Sequence, residues 1–201
     1  MFVVIEGLDG SGKSTQMNLI KNKFNALGHE AMITFEPSDG PVGSMARHVI
    51  DGGFKLENET IALLIAADRY QHVHDVIKPA LDAGVHVICD RYYYSSLVYQ
   101  GRNHDEFLRV AEYNGCVMND MKPDVVIYLD VLPEECMRRL NESRNNLSIY
   151  EDAAQLEQQR QKYFEVFDAL SARENIIIID ATHASIETII EKIWAALMPF
   201  L

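Results

Sequence analysis

Eight residues near the amino terminus restrict the fold of this chain more than any other feature in it. Gly7-Leu8-Asp9-Gly10-Ser11-Gly12-Lys13-Ser14 follows an apolar run, Phe2–Ile5, and opens an amphipathic stretch, Lys13–Leu27. In that setting the spacing G-x-x-x-x-G-K-[ST] reads as a strand–loop–helix unit that wraps phosphate. The glycines let successive backbone amides turn inward, and the positive end of the following helix faces the same oxygens. The pattern assigns Gly7, Asp9, Gly10, Ser11, Gly12, Lys13, Ser14 and Thr15 to the phosphates of a nucleotide. Lys13 can reach the β- and γ-phosphates of ATP, and the Ser14 hydroxyl can ligate Mg²⁺.

Such a loop needs a buried parallel sheet behind it, and the sequence supplies one. Five β-branched runs stand out: Phe2–Ile5, Ala31–Phe35, Val85–Cys89, Val125–Leu129 and Ile176–Ile179. Three are apolar throughout, the pattern of strands covered on both faces. Between them, Lys13–Leu27 carries Met17, Leu19, Ile20, Phe24 and Leu27 near a 3.6 period, with Gly28 as its stop. Glu57 to about Leu81 reads as one long helix, Pro133 as a first helical turn, and Glu151–Leu170 and Ser185–Leu197 as the last two helices. This alternation predicts an α/β fold: a doubly wound five-stranded parallel sheet with helices on both faces. No repeat or linker breaks the 201 residues, so one domain is expected. The polar stretch Asn141–Leu147 is the candidate for a mobile loop.

Composition narrows the partners. Eighteen basic residues against thirty acidic ones give a net charge of −12. That balance argues against DNA or RNA as the main partner, because a polyanion needs a basic footprint; a small phosphorylated ligand needs only a local nest of donors. Cys89, Cys116 and Cys136 show no CxxC spacing, and MFVVIEG has no basic leader or long apolar core. These features, with no apolar run long enough to span a bilayer, predict a cytoplasmic protein with no membrane association.

In open α/β sheets, ligands gather at the carboxyl ends of the strands. After the second strand comes Glu36-Pro37-Ser38-Asp39-Gly40-Pro41-Val42-Gly43, with Pro41 placed to start a helix carrying Arg47. After the third come Asp90-Arg91-Tyr92, then Ser95, Ser96, Tyr99, Gln100 and Gly101. Asp90 ends an apolar strand as a metal-holding carboxylate does, and Arg91 beside it can fork onto an acceptor phosphate. These blocks, with LLIAADRYQHVHDVIKPAL (63–81) and PDVVIYLDVLPEEC (123–136), resemble the thymidylate kinases over residues 1 to about 195. The DRYYYSSLVYQG block (90–101) is the most discriminating part.

The resemblance implies the reaction ATP + dTMP → ADP + dTDP and a site residue by residue. Lys13 and Ser14 would hold donor phosphates and metal. Asp9 would meet the acceptor's 3′-hydroxyl, and Arg47 and Arg91 would clamp its phosphate. Arg69 would reach the base or sugar-phosphate, and Glu36 would also belong to the substrate site. Ser96 and Gln100 would read the thymine edge, while Tyr99 would occupy the space of a ribose 2′-hydroxyl. It also implies a cis bond before Pro37, a lid over about 141–151, and a homodimer. Phe35 stands where bacterial members carry arginine, Ile65 where many carry a base-stacking phenylalanine, and Gly10 where some carry a catalytic arginine. A lid arginine, Arg144, is then expected to act on the transferring phosphoryl, with Arg138 and Arg139 as solvated helix residues. A kinase of another (deoxy)nucleoside monophosphate stays open. A GTPase-type switch does not fit, because the only Asn-Lys pair, Asn22-Lys23, lies inside the first helix and lacks the following Asp.

Overall fold

Strand β1 (Phe2–Gly7) is the central strand of a five-stranded sheet in the computed structural model, which describes the backbone of residues 1–143 and 149–201 and the side chains of 1–142 and 153–201. The other strands are β2 (Ala31–Phe35), β3 (His86–Asp90), β4 (Val125–Asp130) and β5 (Ile176–Asp180). Their order is β2-β3-β1-β4-β5 and every pairing is parallel. All six residues of β1 and five of six in β4 are buried, as expected of strands covered by helices on both faces. The outermost strand β5 differs, since Ile178 is 46% exposed. The predicted runs correspond to the observed strands, with β1, β4 and β5 each reaching one or two residues further, into Glu6, Gly7, Asp130 and Asp180, and β3 running one residue later than its run, His86–Asp90.

The first helix, α1 (Lys13–Ala26), begins at the lysine of the phosphate loop. It stops where Gly28 takes φ +80°, with the Gly28 amide bonded to Asn25 O and the His29 amide to Phe24 O, both at 3.0 Å. That pair of bonds is a Schellman ending, for which glycine carries no Cβ penalty. Pro41 opens α2 (Pro41–Ile50), and Pro133 opens α8 (Pro133–Ser143). The long helix expected from residue 57 is three pieces: α3 (Asn58–His72), a π turn (Val73–Ile77) and α4 (Lys78–Asp82). The break precedes Pro79, which has no amide hydrogen for the helical ladder.

Between β3 and β4 lie three helices that periodicity did not reveal: α5 (Tyr93–Tyr99), α6 (His104–Tyr113) and α7 (Gly115–Asp120). The last two are α9 (Ile149–Leu170) and α10 (Ile186–Leu197), the latter capped by Ser185, whose Oγ accepts from the Thr188 amide at 3.2 Å. Helix α8 runs to Ser143, so the first three residues of the expected loop 141–147 are helical, and Ile149–Glu151 already belong to α9. The remainder of the expected lid, with Arg144, lies outside the described residues. Among the described residues, no helix is long and apolar enough to cross a membrane.

Candidate active site

The carboxyl ends of β1, β2 and β3 converge through main-chain bonds that continue the sheet. The Glu36 amide donates to Asp90 O, and the Arg91 amide to Ile5 O, each at 3.0 Å. The phosphate loop thus leaves the sheet beside the Asp90-Arg91 pair. Lys13 folds back over the loop, its Nζ donating to Gly7 O at 3.0 Å and Leu8 O at 3.2 Å and lying 3.9 Å from Asp90 Oδ1. Burial, reinforced by Arg91, pushes the Lys13 ammonium below its ordinary pKa, with Asp90 and Asp9 pulling it back. Asp90 Oδ1 is buried and has no hydrogen-bond partner among the described residues. With the Ser14 hydroxyl exposed beside Lys13, these residues offer oxygen donors of the kind a hard cation such as Mg²⁺ prefers.

Gly10 holds the loop against α8. It has φ +83°, and a Cβ there would stand 2.6 Å from Cys136 O and 3.0 Å from Leu140 Cγ. Both the dihedral and the space work against a side chain here. Arg139 is not a solvated helix residue as expected. Its Nε donates to Glu135 Oε1 at 2.7 Å, Nη1 to Ser11 O at 3.3 Å, and Nη2 to Ala181 O and Thr182 O at 3.0 Å. It ties the phosphate loop to α8 and to the turn after β5. Arg138 is exposed, as expected, and pairs with Glu135 and Glu142.

A cavity of about 450 Å³ opens on the other side of the loop. Eight of the nine residues expected at an acceptor line it: Asp9, Glu36, Ile65, Arg69, Arg91, Ser96, Tyr99 and Gln100. Arg69 is buried in α3 and donates through Nε to Glu36 Oε2 at 2.6 Å, and through Nη1 to Ser96 Oγ at 3.0 Å and to Asn114 Oδ1. Glu36 in turn meets His72 Nδ1 at 3.1 Å, and Thr34 Oγ1 lies 2.6 Å from His72 Nε2. The Glu36–Pro37 bond is cis, as the resemblance implied. Asp68 holds the loop that follows, accepting from the Ser38 amide at 2.7 Å and the Ser38 hydroxyl at 2.5 Å.

Arg47, the ninth, does not line this cavity. It donates to Pro37 O at 2.6 Å, to Ser38 O, and to Asp39 Oδ1 at 3.1 Å, with its guanidinium over the Phe35 ring. Arg91 does point into the cavity. It is the one described non-glycine residue with positive φ, +66°, a conformation costing about 1–2 kcal/mol. The guanidinium donates through Nη2 to Asp9 Oδ1 at 2.7 Å and through Nη1 to Ser95 Oγ, Tyr99 OH and Tyr163 OH, each at 3.1 Å. Tyr163, from α9, is a partner the sequence reading missed, as are the lining residues Met137 and Leu140 of α8 and Gln155 and Gln159 of α9. A second cavity of about 510 Å³ lies beyond Ser11 and Gly12, between α8 and the turn 182–186.

Two cavities flanking one glycine loop, one lined by Arg69 and Arg91, define a P-loop phosphotransferase. A profile described as "Thymidylate kinase" matches residues 5–193. "Probable thymidylate kinase" of Thermococcus kodakarensis is 37% identical, over 96% of this chain and 98% of the relative. "Thymidylate kinase" of Nitrobacter hamburgensis is 37% identical over 98% and 87%, and "Probable thymidylate kinase" of Pyrococcus horikoshii 36% over 94% and 95%. The chain belongs to the thymidylate kinase family.

Packing at Gly10 has a direct consequence. Gly10→Ala is expected to cost at least about 1–3 kcal/mol, read from denaturant unfolding, and to weaken ATP binding. An alanine variant with wild-type stability and affinity would show that the loop does not press on α8.

Proposed function

We propose that the protein transfers the γ-phosphoryl group of ATP to dTMP, giving dTDP for deoxynucleotide synthesis. The observation carrying this reading is the phosphate loop set beside a cavity whose walls present Arg69, Arg91 and Asp9 together. ATP would place its phosphates on the amides of residues 7–15 with Lys13 across them. Its adenosine would extend toward the second cavity, between Arg138, Arg139 and the 182–186 turn. Ser14 and Asp90 would hold the Mg²⁺, which supplies charge neutralisation at the polyphosphate when bound. The acceptor's phosphate would meet Arg91 and its 3′-hydroxyl Asp9. Arg69, Ser96 and Gln100 would face the base, with Ile65 as an aliphatic wall and Tyr99 against the sugar.

Little proton transfer is required, because the attacking phosphate oxygen is already a nucleophile. The protein's part is in-line positioning and stabilisation of charge on the transferring group. The described residues give Arg47 no route to the acceptor without exchanging the carbonyl bonds it makes now. Its role as a second phosphate clamp therefore needs its side chain to turn, and Arg144 is proposed only as the lid cation. Free thiols at Cys89, Cys116 and Cys136 suit a reducing cytoplasm. Exposed Met45 and Ile50 on α2, beside Leu63 and Tyr70 on α3, support a homodimer through these helices.

An ADP-release assay across dTMP, dUMP, dCMP, dGMP and the ribonucleotides is expected to place dTMP among the best acceptors and to disfavour ribose; a panel in which dTMP ranks low sinks the thymine assignment. The lowered Lys13 pKa has a measurable sign. Bound polyphosphate restores the charged form, so at alkaline pH, between the two pKa values, ATP binding takes up a proton. Calorimetry in two buffers of different ionisation heat should reveal that uptake, and Lys13→Arg, which stays charged, should abolish it. Identical apparent enthalpies for wild type would remove Lys13 from this role. Light scattering should give twice the chain's 22.8 kDa, and a monomer at all concentrations would dismiss the dimer.

A further inference from the structure

Beneath Arg91 lies a carboxylate that none of the assignments above uses. Glu6, on β1, is fully buried in an otherwise apolar strand. Its Oε1 accepts from the amides of Tyr92 at 2.9 Å and Ser95 at 3.3 Å. Its Oε2 accepts from Ser95 Oγ at 2.7 Å and Tyr163 OH at 2.9 Å. Those two hydroxyl oxygens also lie 3.1 Å from Arg91 Nη1, which reaches Tyr99 OH at the same distance, and they lie 3.0 Å from each other.

Proton counting gives the arrangement a direction. A hydroxyl has one hydrogen, an ionised carboxylate only accepts, and a guanidinium only donates. Burial pushes the Tyr163 phenol well above its ordinary pKa, so its proton stays. Burial raises the Glu6 carboxyl above the ordinary carboxylate range, while Arg91, the Ser95 and Tyr163 hydroxyls and the Tyr92 amide draw it back down; in its ionised form both hydroxyl protons point at the carboxylate, and both oxygens turn lone pairs to Arg91. A glutamine at this position could still accept the two amide bonds through its oxygen. Its NH₂ would donate toward Ser95 and Tyr163, whose own protons would then face the donors of Arg91.

We propose that Glu6 is a positioning residue of the transfer site, whose charge orients the Ser95 and Tyr163 hydroxyls and thereby aims the Arg91 fork at the acceptor phosphate. The inference rests on reading Arg91 as the acceptor-phosphate contact. It also explains why a buried charge, which costs stability unless fully bonded, stands on the central strand. A role confined to holding the Tyr92 and Ser95 amides would need only a neutral acceptor.

The test is steady-state kinetics of wild type, Glu6→Gln, Tyr163→Phe and the double variant, with thermal unfolding as a check on folding. Glu6→Gln is expected to raise KM for dTMP about tenfold or more, about 1.4 kcal/mol. KM for ATP and kcat should stay within about threefold, the signature of lost acceptor binding alone. Tyr163→Phe should raise KM for dTMP less. The double variant should fall short of the product of the two, because the hydroxyl that the introduced carboxamide misdirects is gone. An unchanged dTMP KM in folded Glu6→Gln, an equal rise in both KM values, or a multiplicative double variant overturns the proposal.

Should Glu6→Gln fail to fold, Ser95→Ala and Tyr163→Phe each remove one acceptor from Arg91; unshifted dTMP KM in both overturns it equally. A wild type without dTMP kinase activity counts against the functional reading, not against the hydroxyl arrangement. That is read separately from the Arg91 Nη–H resonances, identified by their loss in Arg91→Lys. Slowly exchanging resonances in wild type that collapse in Glu6→Gln support the proposal, and resonances indifferent to Glu6 overturn it.

Discussion

The amide of Arg91 donates to the carbonyl of Ile5 at 3.0 Å, and the spacing of the whole site depends on that bond. It carries the β1–β3 ladder one residue beyond the last paired residues, Ile5 and Asp90. The Glu36 amide does the same on the β2 side by donating to Asp90 O. Three strand ends are therefore locked together before any side chain is considered. The phosphate loop starts from one, the metal-type carboxylate and Arg91 from the second, and the cis-proline loop from the third. A rigid sheet, not three independent loops, sets the distance between the phosphate loop and the Arg91 cavity, which is what pre-organised transfer would require.

The described cations of the site, Lys13, Arg69 and Arg91, are all occupied in the structure. Lys13 bonds to two loop carbonyls and faces Asp90, Arg69 is held by Glu36, and Arg91 by Asp9 and three hydroxyls. In a chain of net charge −12, these local pairs let positive side chains stay oriented in a buried setting where unpaired charge is costly. On the proposed reading, a phosphorylated ligand would exchange one set of acceptors for another. Selectivity would then come from geometry, because only a ligand that meets several donors at once replaces what it displaces.

Much of this was legible in the residues. The glycine loop, the five strands and the Asp90-Arg91 pair declare themselves, because burial on both faces leaves unbroken apolar runs and strand ends collect the polar residues. The rest was hidden for identifiable reasons. Residues Tyr93–Val98 of α5 are all buried, so no polar face exists to reveal a 3.6 period. Glu6 interrupts an apolar strand by one residue and reads as the end of β1, while its partners Ser95 and Tyr163 are 89 and 157 positions away. Arg139 resembles Arg138 in sequence, yet its backbone acceptors, Ala181 O and Thr182 O, come from beyond β5. Such partnerships are set by tertiary packing and leave no local spacing to find. The resemblance to a family supplied the expected roles of Arg69 and Tyr99, but not the carboxylate and amide that hold Arg69, nor the bonds that tie Arg47 to the carbonyls of Pro37 and Ser38.

Strand β5 ends the sheet at its rim. Its outer edge carries main-chain donors and acceptors that no neighbouring strand of the sheet takes up. The segment Ile176–Ile179 is four consecutive isoleucines, a composition prone to self-association when extended and unshielded. Glu174 on one side and Asp180 on the other act as charged gatekeepers. Because β5 pairs only with β4, a chain that has formed the central strands but not yet seated this one presents its stickiest segment. The hazard of this protein during synthesis and refolding is thus concentrated at the rim opposite β2.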